Sequence, residues 1–167
     1  FYVHFGDMDD ALTEAADLVA QRMLERLRDY RADLSLGSPI ELVRAAFSAS
    51  VKALVRDRKL AELFLRHRRD AGTPLGERWA QVTQQARVDL VRDMERWGLQ
   101  TSLPDLNIYA EILVGMTLAA AEGVVDKRIE NLDLLLDELA HFTVAGLQAG
   151  VARDRPAAPP MGAPGPD

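Results

Sequence analysis

Apolar residues recur at intervals of three and four along most of the chain, in stretches that open at capping residues and several of which close at glycines. This spacing places apolar side chains on one side of an α-helix, whereas a half-buried strand needs strict alternation of apolar and polar residues. No Val/Ile/Thr-rich segment alternates in that way. The periodicity therefore predicts an all-α fold without strands.

Local start and stop signals divide the chain into six expected helices. The clearest is Ser38-Pro39-Ile40-Glu41, where Ser38 can cap, Pro39 takes the first helical position and Glu41 reaches back to close a capping box. Thr73-Pro74 repeats the cap and proline. The predicted helices cover about 7–34, 39–55, 57–72, 74–97, 105–125 and 131–150.

Composition limits the class of protein. A chain of 167 residues is long enough for one domain with a substantial core. It has no cysteine, which excludes disulfides, thiolate metal sites and cysteine nucleophiles. No uninterrupted run of about twenty apolar residues is present, so we expect no membrane span and a cytoplasmic location. The net charge of −6 disfavours DNA binding by these residues alone.

The opening stretch Phe1-Tyr2-Val3-His4-Phe5-Gly6-Asp7 reads as the end of one element, a corner, and an N-cap at Asp7. It resembles the junction in TetR-family repressors where the recognition helix ends and the ligand-binding body begins. The resemblance implies that residues 1–6 are the stub of a helix-turn-helix domain. It implies further that residues 7–152 form a ligand-binding and dimerisation body, and the proline-rich residues 153–167 are expected to form a disordered tail.

Six body helices, the last two strongly apolar, also match the TetR-type body. Within it, Leu63 to Thr73 and the small-residue helix ending Ala119 to Asp126 resemble regulators of unsaturated fatty acid synthesis that sense long-chain acyl-CoA. The resemblance implies a homodimeric repressor, bound to DNA through the missing domain and controlled by an apolar effector, which could be an acyl-CoA. No cofactor is expected.

The same resemblance places Tyr2 and His4 against the DNA backbone, where a phenol and an imidazole can donate to phosphate. The alternative is that both merely pack and cap a helix corner. Met8 stands where the family often has a lysine just after the cap, so that phosphate contact is lost here.

A ligand pocket between helices is expected from apolar stripes that would face one another, with a few polar groups among them. Ser50, Thr83 and Glu111 could supply the polar groups, and Met116 an adaptable wall. For any one of these residues, ordinary core packing is the competing interpretation. The predicted ligand-binding residues are Phe47, Ser50, Leu54, Phe64, His67, Val82, Ala86, Leu90, Ile112 and Met116.

His67 belongs to a basic corner with Arg66, Arg68 and Arg69. Arginine forks match phosphate and carboxylate groups, so this corner could be a mouth that receives the polar end of an acyl ligand. A solvated helix C-terminus is the alternative.

The last two helices carry more apolar surface than one monomer needs, which predicts that two copies pair them as a four-helix bundle. A purely monomeric core is the alternative. The expected contact residues are Gly115, Ala119, Gly123, Leu132, Leu136, Leu139 and Phe142.

Catalysis is not expected. His4, His67 and His141 are far apart in sequence, and none has the spacing of a metal-ligand motif. Glu111 and Glu122 share a helix face, but no Glu-x-x-His accompanies them, which argues against a di-iron bundle. No catalytic or metal residue is therefore predicted. The main alternative to a repressor is a helical protein-interaction or lipid-carrier bundle without a DNA-binding role.

Overall fold

The computed structural model of the chain is all-helical, with six helices and no strand in the residues it describes. It describes residues 10–25 apart from 12, 16, 19 and 23, and residues 37–153 apart from 69, 71 and 100–102. The predictions for Tyr2, His4 and the Asp7 cap, and for the tail after residue 153, lie outside these residues.

Helix α1 comprises the helical residues between 10 and 25. Five helices follow: α2 (Pro39–Val55), α3 (Arg58–His67), α4 (Pro74–Arg96), α5 (Leu106–Val125) and α6 (Leu132–Arg153). The all-α prediction is confirmed, and these five helices occur in the predicted order.

Side-chain caps start four of these helices. The predicted capping box is present: the Ser38 N–H donates to the Glu41 carboxylate at 2.9 Å, and the Glu41 N–H donates to the Ser38 hydroxyl at 3.4 Å. Thr73 accepts from the backbone N–H three residues on at 3.1 Å, and Asp105 from the one two residues on at 2.8 Å. Asn131 caps α6 in the same way at 3.0 Å. Short-range hydrogen bonding thus fixes where the helices begin.

Two helix ends differ from prediction. Helix α3 ends at His67, and Gly72, the expected stop, lies in the following turn with φ of 89°. Helix α6 continues through Gly150 to Arg153. Gly150 is a packing position instead of a stop, because a Cβ there would meet the Tyr109 hydroxyl of α5.

Packing centres on α5, which contacts α2, α3, α4 and α6. Helix α2 lies mainly against α6 and α5, whereas α4 packs along α5. Arginine ion pairs connect several of these helices. Arg44 of α2 reaches Asp133 and Asp137 of α6, and Arg68, just after α3, meets Glu122 of α5 at 2.9 Å. The four longer helices α2, α4, α5 and α6 therefore form one bundle around a shared interior.

Three buried clusters fill the described part of the core. The Phe64 cluster joins α3, α4 and the end of α5, and it also takes in Ala20 of α1. The Leu136 cluster joins α2, α5 and α6 around Phe47. The Met94 cluster joins the end of α4 to the start of α5. Helix α1 is thus held by the first of these clusters.

By length and composition alone, α5 is long and apolar enough to cross a membrane, with a mean hydropathy of 1.6 in its most apolar window. The sequence expectation that no segment could do so was too strict, because it required an unbroken apolar run. Core helices of folded proteins have the same property, and α5 packs against four other helices here.

Replacing Gly76 by alanine should destabilise the fold by about 1–3 kcal/mol, the usual cost of overpacking. A Cβ at Gly76 would collide with the backbone carbonyl of Asp70 and come within 3.1 Å of the Thr73 hydroxyl, and backbone cannot move aside cheaply. Urea denaturation measures the change. Ala80→Ser, on the exposed side of the same helix, is the control and should stay within about 0.5 kcal/mol.

The capping box should make part of the stability depend on pH. The hydrogen bond from the Ser38 N–H, and next that from its hydroxyl, lower the pKa of Glu41. A lowered carboxyl pKa adds stability that is complete above the ordinary value of about 4.3 and is lost as pH falls through the lower folded value. The stability difference between wild type and Glu41→Gln should therefore shrink as urea denaturation is repeated from pH 7 towards pH 3. Glu95→Gln, in an exposed position, is the control; an equal trend in both variants contradicts the assignment to the cap.

Candidate ligand-binding cavity

A cavity of about 620 Å³ lies inside the bundle, in the range that small-molecule sites occupy. Its walls come from α2, α4, α5 and α6, together with short segments before α2 and after α4. They are mostly apolar, and the lining residues include Leu42, Val43, Phe47, Leu54, Trp79, Val82, Leu90, Met94, Trp97, Leu113, Leu118 and Leu147.

One end of the cavity is closed by buried core. Trp79 and Val82 line it and are both almost fully buried, as members of the Phe64 cluster. Phe64 itself lies one layer further out, with its ring centroid 5.1 Å from that of Trp79 at a tilt of 44°. This aromatic pair forms the floor of the cavity and its support.

The other end reaches solvent. The exposed lining residues come from the start of α2, the end of α4 and the end of α6, namely Gly37, Pro39, Trp97, Gln148 and Val151. Three chain segments therefore converge at a mouth, and a ligand can enter here without unfolding the core.

Two of the four hydroxyls in the wall are already satisfied by their own helix. Thr83 donates to the carbonyls of Trp79 at 3.1 Å and Ala80 at 3.0 Å. Thr117 donates to the carbonyl of Leu113 at 2.9 Å. These two threonines therefore present mainly their methyl groups as available surface.

Two other polar residues of the wall, Asp93 and Thr143, are buried, and their side chains do not donate to carbonyls of their own helix in the way that those of Thr83 and Thr117 do. The Asp93 carboxylate is paired with Arg96 at 3.0 Å, one helical turn away. Thr143 is only 6% exposed, and its hydroxyl oxygen has no hydrogen-bond partner in the part of the chain that the structure describes. A buried hydroxyl without a partner is uncommon, because leaving it unpaired costs free energy.

The structure brings together six of the ten residues predicted to bind ligand. These six line the cavity: Phe47, Ser50, Leu54, Val82, Ala86 and Leu90. Phe64, His67, Ile112 and Met116 do not. The predicted residues of α2 and α4 lie at the cavity because each of these helices has one clear apolar stripe, which fixes the side that faces inward.

The errors on α5 have a physical reason. This helix is apolar or small on nearly all sides, so periodicity could not show which side faces the cavity. Leu113 and Thr117 line it, whereas Ile112 is 50% exposed on the outside. Met116 packs on the Leu136 cluster instead. Phe64 was misplaced by one layer, since it supports the floor without lining it.

The basic corner is not at the cavity. The His67 ring pairs with Asp70 at 2.7 Å, and Arg68 pairs with Glu122 at 2.9 Å. None of these side chains is among the lining residues, and Arg69 lies outside the described residues. Glu111, suggested as a polar pocket group, is exposed and pairs with Arg87.

An apolar outer face extends over α5 and α6, on the sides turned away from α2. We define it by Ile108 and Ile112 of α5 and by Leu134 and Phe142 of α6, each at least half exposed. Phe142 alone is 70% exposed. Such a patch on adjoining helices is typical of a surface that another molecule covers.

Only some of the predicted dimer residues lie on this face. Gly115, Ala119 and Phe142 are exposed there. Leu136 is fully enclosed in the monomer, and Gly123 is buried against Ile129, so both contact their own chain. Leu132 and Leu139 are half-buried on the Leu136 cluster. Leu132, Leu136 and Leu139 mark the inner side of α6. The outer residues that were missed are Ile108, Ile112 and Leu134.

In the part of the chain that the structure describes, no group of three or more His, Asp or Glu residues could hold a metal ion. No protein-family model, curated protein or solved structure matches the chain.

Substitutions at two α6 positions should separate its inner and outer sides. Leu136→Ala removes a fully buried side chain and should lower the free energy of unfolding by about 2–5 kcal/mol. Phe142→Ala, at 70% exposure, should cost far less when unfolding is measured at protein concentrations low enough for monomer. Equal losses under those conditions would contradict the assignment of the two sides.

Proposed function

We propose that the chain is the effector-binding and dimerisation body of a TetR-type transcriptional repressor. The proposal combines the resemblance of the opening stretch with three structural features: an all-helical body, an apolar cavity open at one end, and an apolar outer face on the last two helices. In this proposal, an apolar small molecule enters the cavity and changes DNA binding by a helix-turn-helix domain attached before α1.

The observation that carries the proposal is the Phe64 cluster. It contains Trp79 and Val82, which are cavity walls, and also Ala20 of α1. An ion pair between Asp17 of α1 and Arg78 of α4, at 2.5 Å, adds a second link between the two helices. Helix α1 is therefore coupled to the cavity floor through directly packed side chains.

Allosteric control needs a ligand that binds two arrangements of the protein unequally. Close-packed interiors accommodate an inserted group by shifting whole elements, because few voids absorb the strain. A ligand pressing on Trp79 would displace the layer on which α1 rests. In the proposed repressor this displacement changes the spacing of the two recognition helices on DNA.

A homodimer is the second part of the proposal. The outer face presents Ile108 and Ile112 on α5 and Phe142 on α6 as exposed apolar side chains, and the open surface at Gly115 lets another helix approach closely. Two copies meeting through α5 and α6 would bury these side chains as a four-helix bundle.

The long-chain acyl-CoA version of the effector has weaker support than the general apolar one. The resemblance suggested it, and a basic mouth at His67 and its arginine neighbours would have received the polar end of such a ligand. His67 and Arg68 instead pair with carboxylates away from the cavity. We therefore propose an apolar effector without a required phosphate group.

Filling the cavity should abolish ligand binding. Ala86 lines the middle of the α4 wall, so Ala86→Trp places an indole in the space that a ligand needs. We expect small apolar compounds that raise the melting temperature of the wild type to raise that of the variant by less than a third as much. Ala80→Trp, on the exposed side of α4, should respond like wild type. Ligand shifts of equal size in both variants would place the binding site elsewhere.

A charge on the outer face should separate the subunits. Ile112→Arg and Phe142→Arg each place two like charges in the proposed interface, where desolvation makes them costly. Sedimentation at micromolar concentration should give a dimer for wild type and a monomer for both variants. Ala80→Arg is the charge control and should stay dimeric. A monomeric wild type would refute the dimer.

The repressor class itself is tested by the coding sequence before Phe1. We expect a helix-turn-helix segment there, and we expect the longer protein to bind duplex DNA with an affinity that the effector changes. If the native gene has no such segment, the alternative of an interaction or lipid-carrier bundle is preferred. The cavity would then serve transport or storage of an apolar molecule.

A further inference from the structure

We propose that the cavity selects a neutral, largely apolar molecule with one hydrogen-bonding group such as a hydroxyl, and that Thr143 is the residue that recognises this group. The inference rests on the proposed function, because it names the class of ligand for the same cavity. Three observations carry it: the charge of the wall, the state of its hydroxyls, and the position of Thr143.

The charge of the wall excludes an anionic end group. Among the lining residues that the structure describes, none is Lys, Arg or His, and Asp93 is the one charged residue. A carboxylate ligand would lose its hydration in an apolar cavity and meet no cation in return. A cationic ligand would have to compete with Arg96 for Asp93. A neutral ligand avoids both costs.

The hydroxyls of the wall differ in what they can still bind. Those of Thr83 and Thr117 donate to carbonyls of their own helices. The hydroxyl of Thr143 has no partner among the described residues, although the side chain is more than nine-tenths buried. The hydroxyl of Ser50 also makes no hydrogen bond with the described residues, but Ser50 is only half-buried. An unpartnered hydroxyl costs more when it is buried, so Thr143 is the residue that would gain most from a ligand that supplies a hydrogen bond.

A ligand can reach this hydroxyl through a simple side-chain rotation. Threonine in a helix populates two rotamers about its Cα–Cβ bond, and exchange between them moves the hydroxyl to another of the three staggered positions. Because Thr143 lines the cavity, a rotation that brings the hydroxyl to the cavity side would let it meet a ligand. The hydroxyl both donates and accepts, so it suits an alcohol or a ketone.

The position of Thr143 also orients the ligand. It lies on α6 before Gln148 and Val151, which are exposed at the mouth, whereas the opposite end of the cavity is closed by Trp79 and Val82. The apolar part of the ligand would extend towards that floor. The polar group of the ligand would therefore bind at Thr143 on α6, and its apolar part would contact the Phe64 cluster at the closed end of the cavity.

Three probes with the same ten-carbon chain test the charge preference: decanol, decanoate and decyltrimethylammonium. Isothermal titration calorimetry on the wild-type chain should show decanol binding at least about ten-fold more tightly than either ion, because an unpaired charge is costly to bury. If either ion binds as tightly as decanol, the inference is overturned while ligand binding by the cavity stands. If none of the three binds, both the inference and the proposed ligand-binding function fail.

Two valine variants test recognition by Thr143. Thr143→Val keeps the shape and removes the hydroxyl, and it should weaken decanol binding by about five-fold, the effect of one neutral hydrogen bond. Ala80→Val, on the exposed side of α4 and outside the cavity wall, is the control, and it should change binding by less than about two-fold.

The melting temperature of the unliganded Thr143→Val variant shows that lost binding is not lost folding. Removing a buried hydroxyl that lacks a partner should leave this temperature unchanged or higher. Equal weakening of decanol binding by the two valine variants, or none by Thr143→Val, overturns the assignment.

Discussion

The tilted contact between Phe64 and Trp79 is the interaction on which the arrangement depends. Trp79 faces the cavity on one side and Phe64 on the other, so the pair is both the floor of a binding site and the interior of a core cluster. Ala20 of α1 belongs to the same cluster. A movement of Trp79 would therefore also move the side chains against which α1 packs, because a close-packed interior transmits strain.

Helix α5 imposes the second constraint, because it contacts four other helices at once. Small residues make this possible: a Cβ at Gly123 would come within 2.6 Å of the Ile129 side chain, which folds back over the helix end. The turn that follows is tight, with Lys127 at a φ of 59° and the N–H groups of Arg128 and Ile129 both donating to the Gly123 carbonyl. Because residues 128 and 129 pack closely on Gly123, only a short turn separates the end of α5 from the start of α6.

How much the sequence could predict depended on the range of the interaction. Helix starts at Ser38, Thr73 and Asp105 were predicted because a cap is made with residues two or three positions away. The inward sides of α2 and α4 were predicted because polar residues fill their other sides. Helix α5 is apolar or small on nearly all sides, so the sequence could not show which side faces inward. Ile112 was assigned to the cavity and is half exposed, and Gly123 was assigned to the dimer and lies against Ile129 of its own chain.

Interactions between distant parts of the chain left no local signal. Arg44 and Asp137 pair across 93 positions, and nothing in the spacing of either residue indicates the other. Thr143 appeared only as one more residue in the stripe of α6. Its interest comes from the missing partner of its hydroxyl, which depends on what every neighbouring helix contributes. The sequence predicts features that depend on one helix. It does not predict features that depend on how several helices pack together.

The cavity also bears on how long the protein persists in its folded form. A bundle with about 620 Å³ of unfilled space gives up contacts that a close-packed interior would make. A molecule that occupies this space binds the folded chain and not the unfolded one, so it raises the free energy of unfolding by an amount set by its concentration relative to its Kd. Since unfolded chains are removed by proteases, cellular abundance of such a protein would follow ligand supply. The amount of folded protein would then report the concentration of the ligand, even with no DNA present.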